Sequence, residues 1–425
     1  MTYLIMFAAF FLLLLIGAPI ALSLGLSGIL ALVINGASLT LVPANIYAGI
    51  GKYLLLAVPF FVLSGNIMAK AGISERLISF IDALIGHLRG GIAMVCVVVA
   101  CLFGAISGSG AATVAALGVI LIPAMVEREK FTDSFSTGIV ASASSIAVVI
   151  PPSISFVIYA SLTGVSVGDI FVAGVIPGIL MGAGLIIVVQ MTARKQNLKP
   201  AHSWMGWGSV WKTFRSAFWG LLMPVIILGG IYGGIFSATE AAAVAAGYGV
   251  IVGLFIYRTI TFRDLIEIVI DTAKSTGGLM LIIGGATIFS YVCTRYGLST
   301  TVQNILQGGN SIVFLLICNV VFLIAGCFVD ANSAMYIFIP IMAPVAQALG
   351  VDLIHFGIVC TVNLAIGQFT PPVGMNLFVA SGMRIKGHEV EVGELARQCV
   401  PMILVSLVVL LLITFIPQIS LFLIS

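Results

Sequence analysis

Two proline pairs stand inside apolar segments. Segment 142–153 reads Ser-Ala-Ser-Ser-Ile-Ala-Val-Val-Ile-Pro-Pro-Ser, and segment 363–372 reads Asn-Leu-Ala-Ile-Gly-Gln-Phe-Thr-Pro-Pro. Pro151, Pro152, Pro371 and Pro372 remove backbone N–H donors and block the preceding turn sterically. Each segment therefore predicts a discontinuous helix. Carbonyls freed at such a break can coordinate a hard cation such as Na⁺, and the new half-helix N-termini can face an anion. A single kink is commonly re-satisfied by neighbouring groups. Two breaks at matching positions, each beside a polar helix tip, point to a binding site.

The tips are the interruptions Gly-Ala-Ile-Ser-Gly-Ser-Gly at 104–110 and Asp-Ala-Asn-Ser at 330–333. They offer Ser107 and Ser109 on one side, and Asp330, Asn332 and Ser333 on the other. A carboxylate at membrane depth is expensive, which makes Asp330 a functional candidate. It is also a good cap for the helix that follows. Arg295 carries two readings of equal weight: an interfacial side chain that snorkels, or a guanidinium that forks onto a carboxylate. Glu240, three residues after Ser237, reads as a helix cap. The seven cysteines form no CxxC pair and read as packing residues. His87, His202, His355 and His388 are scattered. HExxH, GxSxG and Walker A patterns are absent.

The elements that must position these residues follow from composition. The chain has 425 residues, of which 61% are hydrophobic and 8% charged. Soluble domains carry about 25% charged residues. A soluble enzyme, a disordered chain and a nucleic-acid binder with a basic patch are excluded. An all-α polytopic membrane protein remains. Spans are predicted near 3–17, 20–35, 54–69, 134–162, 170–192, 217–232, 239–257, 277–294, 353–381 and 398–424. Stretches 91–126 and 312–349 have arms short for a full crossing and read as re-entrant hairpins, with two ordinary short spans each as the alternative; the number of crossings stays even either way. No Lys or Arg precedes Lys52, which argues against a cleaved signal peptide. Ten crossings place 16 of the 18 basic residues on one side and leave Lys52 and Arg295 on the other. The positive-inside rule then puts both termini outside. The tryptophan-rich cluster from Arg194 to Arg215 reads as a cytoplasmic surface anchor.

The halves repeat. Ala71-Gly72-Ile73-Ser74 matches Tyr296-Gly297-Leu298-Ser299, Gly104 matches Gly326, and Pro151-Pro152 matches Pro371-Pro372, at offsets of 225, 222 and 220. Repeat 1 covers 2–165, with a hairpin at 90–127 and a broken helix at 134–162. A span and a cytoplasmic loop at 166–216 lead to repeat 2 at 217–385, with a hairpin at 311–350 and a broken helix at 353–381. A final span occupies 395–425. Five crossings between equivalent points give the repeats opposite topology, a hallmark of secondary transporters.

The sequence resembles the large membrane subunit of the tripartite ATP-independent periplasmic (TRAP) transporters, over essentially the whole chain. The resemblance rests on segment 103–113 (Phe-Gly-Ala-Ile-Ser-Gly-Ser-Gly-Ala-Ala-Thr) and 149–153 (Val-Ile-Pro-Pro-Ser). It also rests on 239–246 (Thr-Glu-Ala-Ala-Ala-Val-Ala-Ala) and 369–374 (Phe-Thr-Pro-Pro-Val-Gly). Ala238 stands where the family usually has proline. The resemblance implies Na⁺-coupled import of an organic acid across a bacterial inner membrane by an elevator-type architecture. It implies a small four-helix membrane subunit and a periplasmic substrate-binding protein as partners. It implies one Na⁺ site at Ser107, Ser109 and the first break, with Ser144, Ser145 and Ile150. A second Na⁺ site would use Asp330, Asn332, Ser333 and the second break, with Gly367 and Thr370. The carboxylate substrate would lie near Ser153, Asn376 and Arg295. No organic cofactor is expected. A stand-alone Na⁺-coupled anion symporter is the alternative.

Overall fold

The computed structural model describes residues 2–305, 310–383, 385 and 390–424. Arg384, Lys386 and His388, which entered the charge and histidine readings, lie outside the described residues. The chain opens with α1 (Thr2–Leu15), α2 (Ile20–Ile34), α3 (Leu41–Ile50), α4 (Ala57–Lys70) and α5 (Ile73–Ile85). The first hairpin is α6 (Gly91–Ser107) and α7 (Gly110–Ala124); the first broken helix is α8 (Asp133–Ser145) and α9 (Ile154–Thr163). Next come α10 (Val167–Lys195), α11 (Gly206–Tyr232), α12 (Ala238–Ile251), α13 (Phe262–Arg295) and α14 (Leu298–Ile305). The second hairpin is α15 (Ser311–Phe328) and α16 (Ala331–Ala348), and the second broken helix is α17 (Leu353–Gly367) and α18 (Met375–Ser381). The long α19 (Val392–Phe415) and the short α20 (Gln418–Leu421) close the chain.

Eight helical stretches among the described residues are long and apolar enough to cross a membrane, and α7 and α15 of the hairpins are two of them. Both broken helices miss that length because each half is short. The helices α1 and α2, with 14 and 15 residues, rise only about 21–23 Å, less than a hydrocarbon core of about 30 Å. The opposite departure occurs at α11 and α13. Sequence hydropathy places their starts at 217 and 277, whereas the helices begin at Gly206 and Phe262. Hydropathy sees only the lipid-facing part. The extension of α13 carries Arg263, Glu267, Asp271 and Lys274 as i,i+4 and i,i+3 ion pairs, which favour helix outside the bilayer. The sequence reading places no element at 41–50, where α3 forms. This helix is too short to cross and packs on α13, with Gly49 against Thr287.

Local signals behave as their chemistry dictates. Glu240 closes a capping box with Ser237: Ser237 N donates to its carboxylate at 2.8 Å, and Glu240 N donates to Ser237 Oγ at 3.3 Å. Gly72 and Gly297 take left-handed φ angles of 73° and 70° at equivalent turns, before α5 and α14. Six of the seven cysteines are buried and all seven are free.

The core lies around the hairpins and broken helices. Nearly every residue of α6, α8 and α17 is buried, and α9 is buried up to Ala160. The base of the first hairpin is tied by the buried Glu129, whose carboxylate accepts from Ile92 N at 3.1 Å and Ala93 N at 3.3 Å. These are orphan donors of the α6 N-terminus. Glu129→Ala would leave both buried and unpaired. It is expected to destabilise the protein by about 1–3 kcal/mol, read as a lower melting temperature in detergent.

Candidate functional site

Each hairpin leans on the broken helix of its own repeat through a glycine. A Cβ on Gly104 would lie 2.6 Å from Ala147 Cα, and one on Gly326 would lie 3.0 Å from Gly367 Cα. Only glycine permits this backbone approach, and it places each polar tip beside a break. Both breaks contain cis Pro-Pro bonds, Pro151–Pro152 and Pro371–Pro372. The prolines cannot serve the carbonyls four residues back. Ser153 Oγ donates to Val148 O at 2.5 Å instead, and Asn376 N donates to Gln368 O at 2.9 Å. The same deficit is thus repaired at the same place in each repeat.

At the first tip, Gly108 turns the chain with φ 60° and Ser109 caps α7, accepting from Ala112 N at 3.5 Å. Thr113 Oγ1 donates to Ser109 O at 2.8 Å and lies 3.0 Å from Ser107 Oγ. Across the gap, Ser145 Oγ donates to Ser142 O at 2.7 Å. The buried Ser144 hydroxyl makes no hydrogen bond. Ile150 packs its side chain against Gly178 of α10.

At the second tip, Asp330 caps α16. Its Oδ2 accepts from Asn332 N at 3.1 Å and Ser333 N at 3.2 Å, and its Oδ1 accepts from Ser333 Oγ. Both roles weighed for Asp330 remain compatible, because its carboxylate can cap α16 and still offer oxygen to a cation. Gly374 N donates to Cys327 O at 2.9 Å and joins the second break to this hairpin. Thr370 Oγ1 donates to Ile366 O at 2.7 Å.

The repeats then cross over. Ser155, at the start of α9, donates its hydroxyl to Asn332 Oδ1 at 2.8 Å. Asn376, at the start of α18, donates to Ala141 O at 3.2 Å in α8. Asn376 also lies against Gly110 of the first tip, where an added Cβ would be 2.9 Å from its amide. So each tip meets the half-helix that follows the other repeat's break. Ser155 and Gln368, whose Oε1 also faces Gly110, are absent from the sequence-derived residue set. One signal existed: Ser155 and Asn376 are 221 residues apart, as are the tip caps Ser109 and Asp330.

Arg295 is not brought to this cluster. Its guanidinium is exposed, donates to Tyr291 Oη at 2.5 Å and stacks near that ring. This is the geometry of an interfacial arginine. The cluster consists of hydroxyls, amides, carbonyls and one carboxylate. Among the described residues no three His, Cys, Asp or Glu side chains gather as a metal-binding group.

A helical multi-pass membrane protein whose two halves each supply a hairpin tip and a broken helix to one polar centre is built as a secondary transporter. Residues 7–419 match the family described as "Tripartite ATP-independent periplasmic transporter, DctM component". The chain belongs to this family of TRAP large permeases and is not an enzyme. It is 43% identical to the C4-dicarboxylate TRAP transporter large permease protein DctM of Pseudomonas aeruginosa, over 94% of this chain and 93% of that protein. It is 34% identical to the sialic acid TRAP transporter large permease protein SiaM of Vibrio cholerae, over 96% and 95%. It is 39% identical to the isethionate TRAP transporter permease protein DctMQ of Oleidesulfovibrio alaskensis, over 98% of this chain and 66% of that longer protein. The fold is similar to the crystal structure of the Alcanivorax borkumensis YdaH transporter, described as having an unusual topology. The TM-score is 0.60 at 15% identity, over 88% of this chain and 86% of that one.

The crossover bond can be tested by itself. Ser155→Ala removes one side-chain hydrogen bond worth about 1 kcal/mol. Uptake in membrane vesicles is expected to fall about fivefold, by the same energy, with little change in melting temperature.

Proposed function

We propose that this chain imports a small organic acid across a bacterial inner membrane, driven by a Na⁺ gradient, with both termini on the outer side. The observation that carries the reading is the crossover of two hairpin tips onto two broken helices, which concentrates neutral oxygen donors around one carboxylate. A hard cation takes such oxygens. One Na⁺ would use Ser107, Ser109, Ser144, Ser145 and the Ile150 carbonyl. A second would use Asp330, Asn332, Ser333, Thr370 and the Gly367 carbonyl. Substrate would sit between them near Ser153 and Asn376. Because each tip also touches the opposite repeat, Na⁺ at either tip favours one closed arrangement of both.

The hairpins and broken helices would then shift as a body against a scaffold containing α2, α4, α12 and α13, in an elevator movement. Relatives named for C4-dicarboxylate, isethionate, sialic acid and 2,3-diketo-L-gulonate support an organic anion as cargo. The relatives at 43% and 40% identity are named for C4-dicarboxylate, which makes succinate and malate the first probes. A small membrane subunit and a periplasmic binding protein complete the system. The test is uptake into proteoliposomes containing this chain and its small subunit, with and without the binding protein. Uptake is expected only when the binding protein is present. Strong saturable uptake by this chain alone would favour a stand-alone symporter.

A further inference from the structure

Lys52 is one of the two basic residues on the side assigned as outer. It stands between α3 and α4, at the rim of a half-open chamber of about 330 Å³. Such a volume is at the small end for sites that take small molecules. The walls come mainly from α3, α9, α13 and α16. The Lys52 ammonium donates to Ser161 O at 2.6 Å, across a sequence separation of 109 residues. An ammonium has three donors, so two remain for a ligand. No Asp or Glu lines the chamber, and no described carboxylate pairs with Lys52. Burial alone draws the Lys52 pKa below its usual value, with no carboxylate raising it. The remaining polar lining is hydroxyl and amide, including Ser161, Thr163, Thr287, Ser290, Thr294 and Gln347. The Tyr336 side chain is almost fully buried, with its hydroxyl beside Ser161.

From this geometry we infer that the Lys52 chamber is a second, outward-facing organic-anion site, separate from the hairpin tips, which binds the carboxylate or sulfonate group of the cargo before it reaches them. An uncompensated positive charge at the rim of a concave chamber focuses the field and concentrates anions. Hydroxyl donors supply orientation without a fixed negative charge. Lys52 lies between α3 and α4 and Ser161 lies in α9, so an anion that competes with Ser161 O for the ammonium also loosens a contact between these elements. The inference rests on the organic-anion reading above.

The test does not depend on transport. Thr294→Cys is made in the full chain in membrane vesicles and labelled with a negatively charged sulfonatoethyl and a positively charged trimethylammonioethyl methanethiosulfonate. Relative to a free thiol, labelling is expected to favour the negative reagent by about tenfold. Lys52→Gln is expected to remove this preference and Lys52→Arg to keep it. Succinate is expected to slow the negative reagent only when position 52 is cationic. Ser290→Cys provides a second reporter should Thr294→Cys not accumulate. A preference that persists unchanged in Lys52→Gln would overturn the inference, whatever the transport assays give. Failure of Na⁺ coupling with an intact Lys52-dependent preference would overturn only the coupling.

Discussion

Asp330→Ala is expected to lower Na⁺-driven uptake by at least about a hundredfold while leaving the chain inserted in the membrane. Two losses combine in this variant. The α16 N-terminus loses its cap, because Asn332 N and Ser333 N both donate to the Asp330 carboxylate. Caps of this kind contribute about 1 kcal/mol. The oxygen cluster also loses its single formal negative charge. A loss of about 3 kcal/mol in cation binding corresponds to about a hundredfold in affinity. Asp330→Asn separates the two. Asparagine caps as well as aspartate but carries no charge. Its melting temperature is expected to match the parent while uptake stays near background. Full uptake in Asp330→Asn would reduce Asp330 to a structural cap.

Gly367→Ala is the second substitution with a large expected effect. Its Cβ would lie 2.5 Å from Gly326 C and Cα and 3.0 Å from Cys327 N. All are backbone atoms, which cannot swing aside as a side chain can. Overpacking of this kind costs about 1–3 kcal/mol and shifts backbone. The second hairpin would be pushed off its break, and the Gly374 N to Cys327 O bond would be strained. The melting temperature is expected to fall by several degrees and uptake to drop close to background. Gly104→Ala, which meets Ala147 Cα at 2.6 Å, should act alike in the first repeat. Gly277→Ala has nothing within 4 Å of its Cβ and should change neither measurement.

The contrast among these glycines shows what a sequence can reveal. Gly104 and Gly326 were readable because they recur at matching positions beside polar tips. The breaks were readable because proline states its backbone consequence directly. Glu240 was readable because a cap is a local event. The crossover was not. Ser155 and Asn332 are 177 residues apart, and nothing near either one names the other. Periodicity reports on one helix at a time, whereas docking between repeats depends on their relative placement. Hydropathy underestimated α11 and α13 because their N-terminal turns carry polar and charged residues. Lys52 and Arg295, the two cations that the charge split sets apart, were alike in sequence, and only tertiary structure shows that Lys52 faces a chamber while Arg295 faces Tyr291. The scarcity of charge, 8% of residues, narrowed the search to a few side chains without ranking them.

Coupling at the two tips, with a Na⁺ at each and the organic acid between them, is the core of the proposed function. It is tested most directly by following radioactive Na⁺ and radioactive organic acid together into proteoliposomes that hold this chain, its small subunit and its binding protein. Both ions are expected to enter in a constant ratio, and both fluxes are expected to vanish in Asp330→Asn. Organic-acid entry that continues at the same rate with Na⁺ replaced by K⁺ would contradict the account.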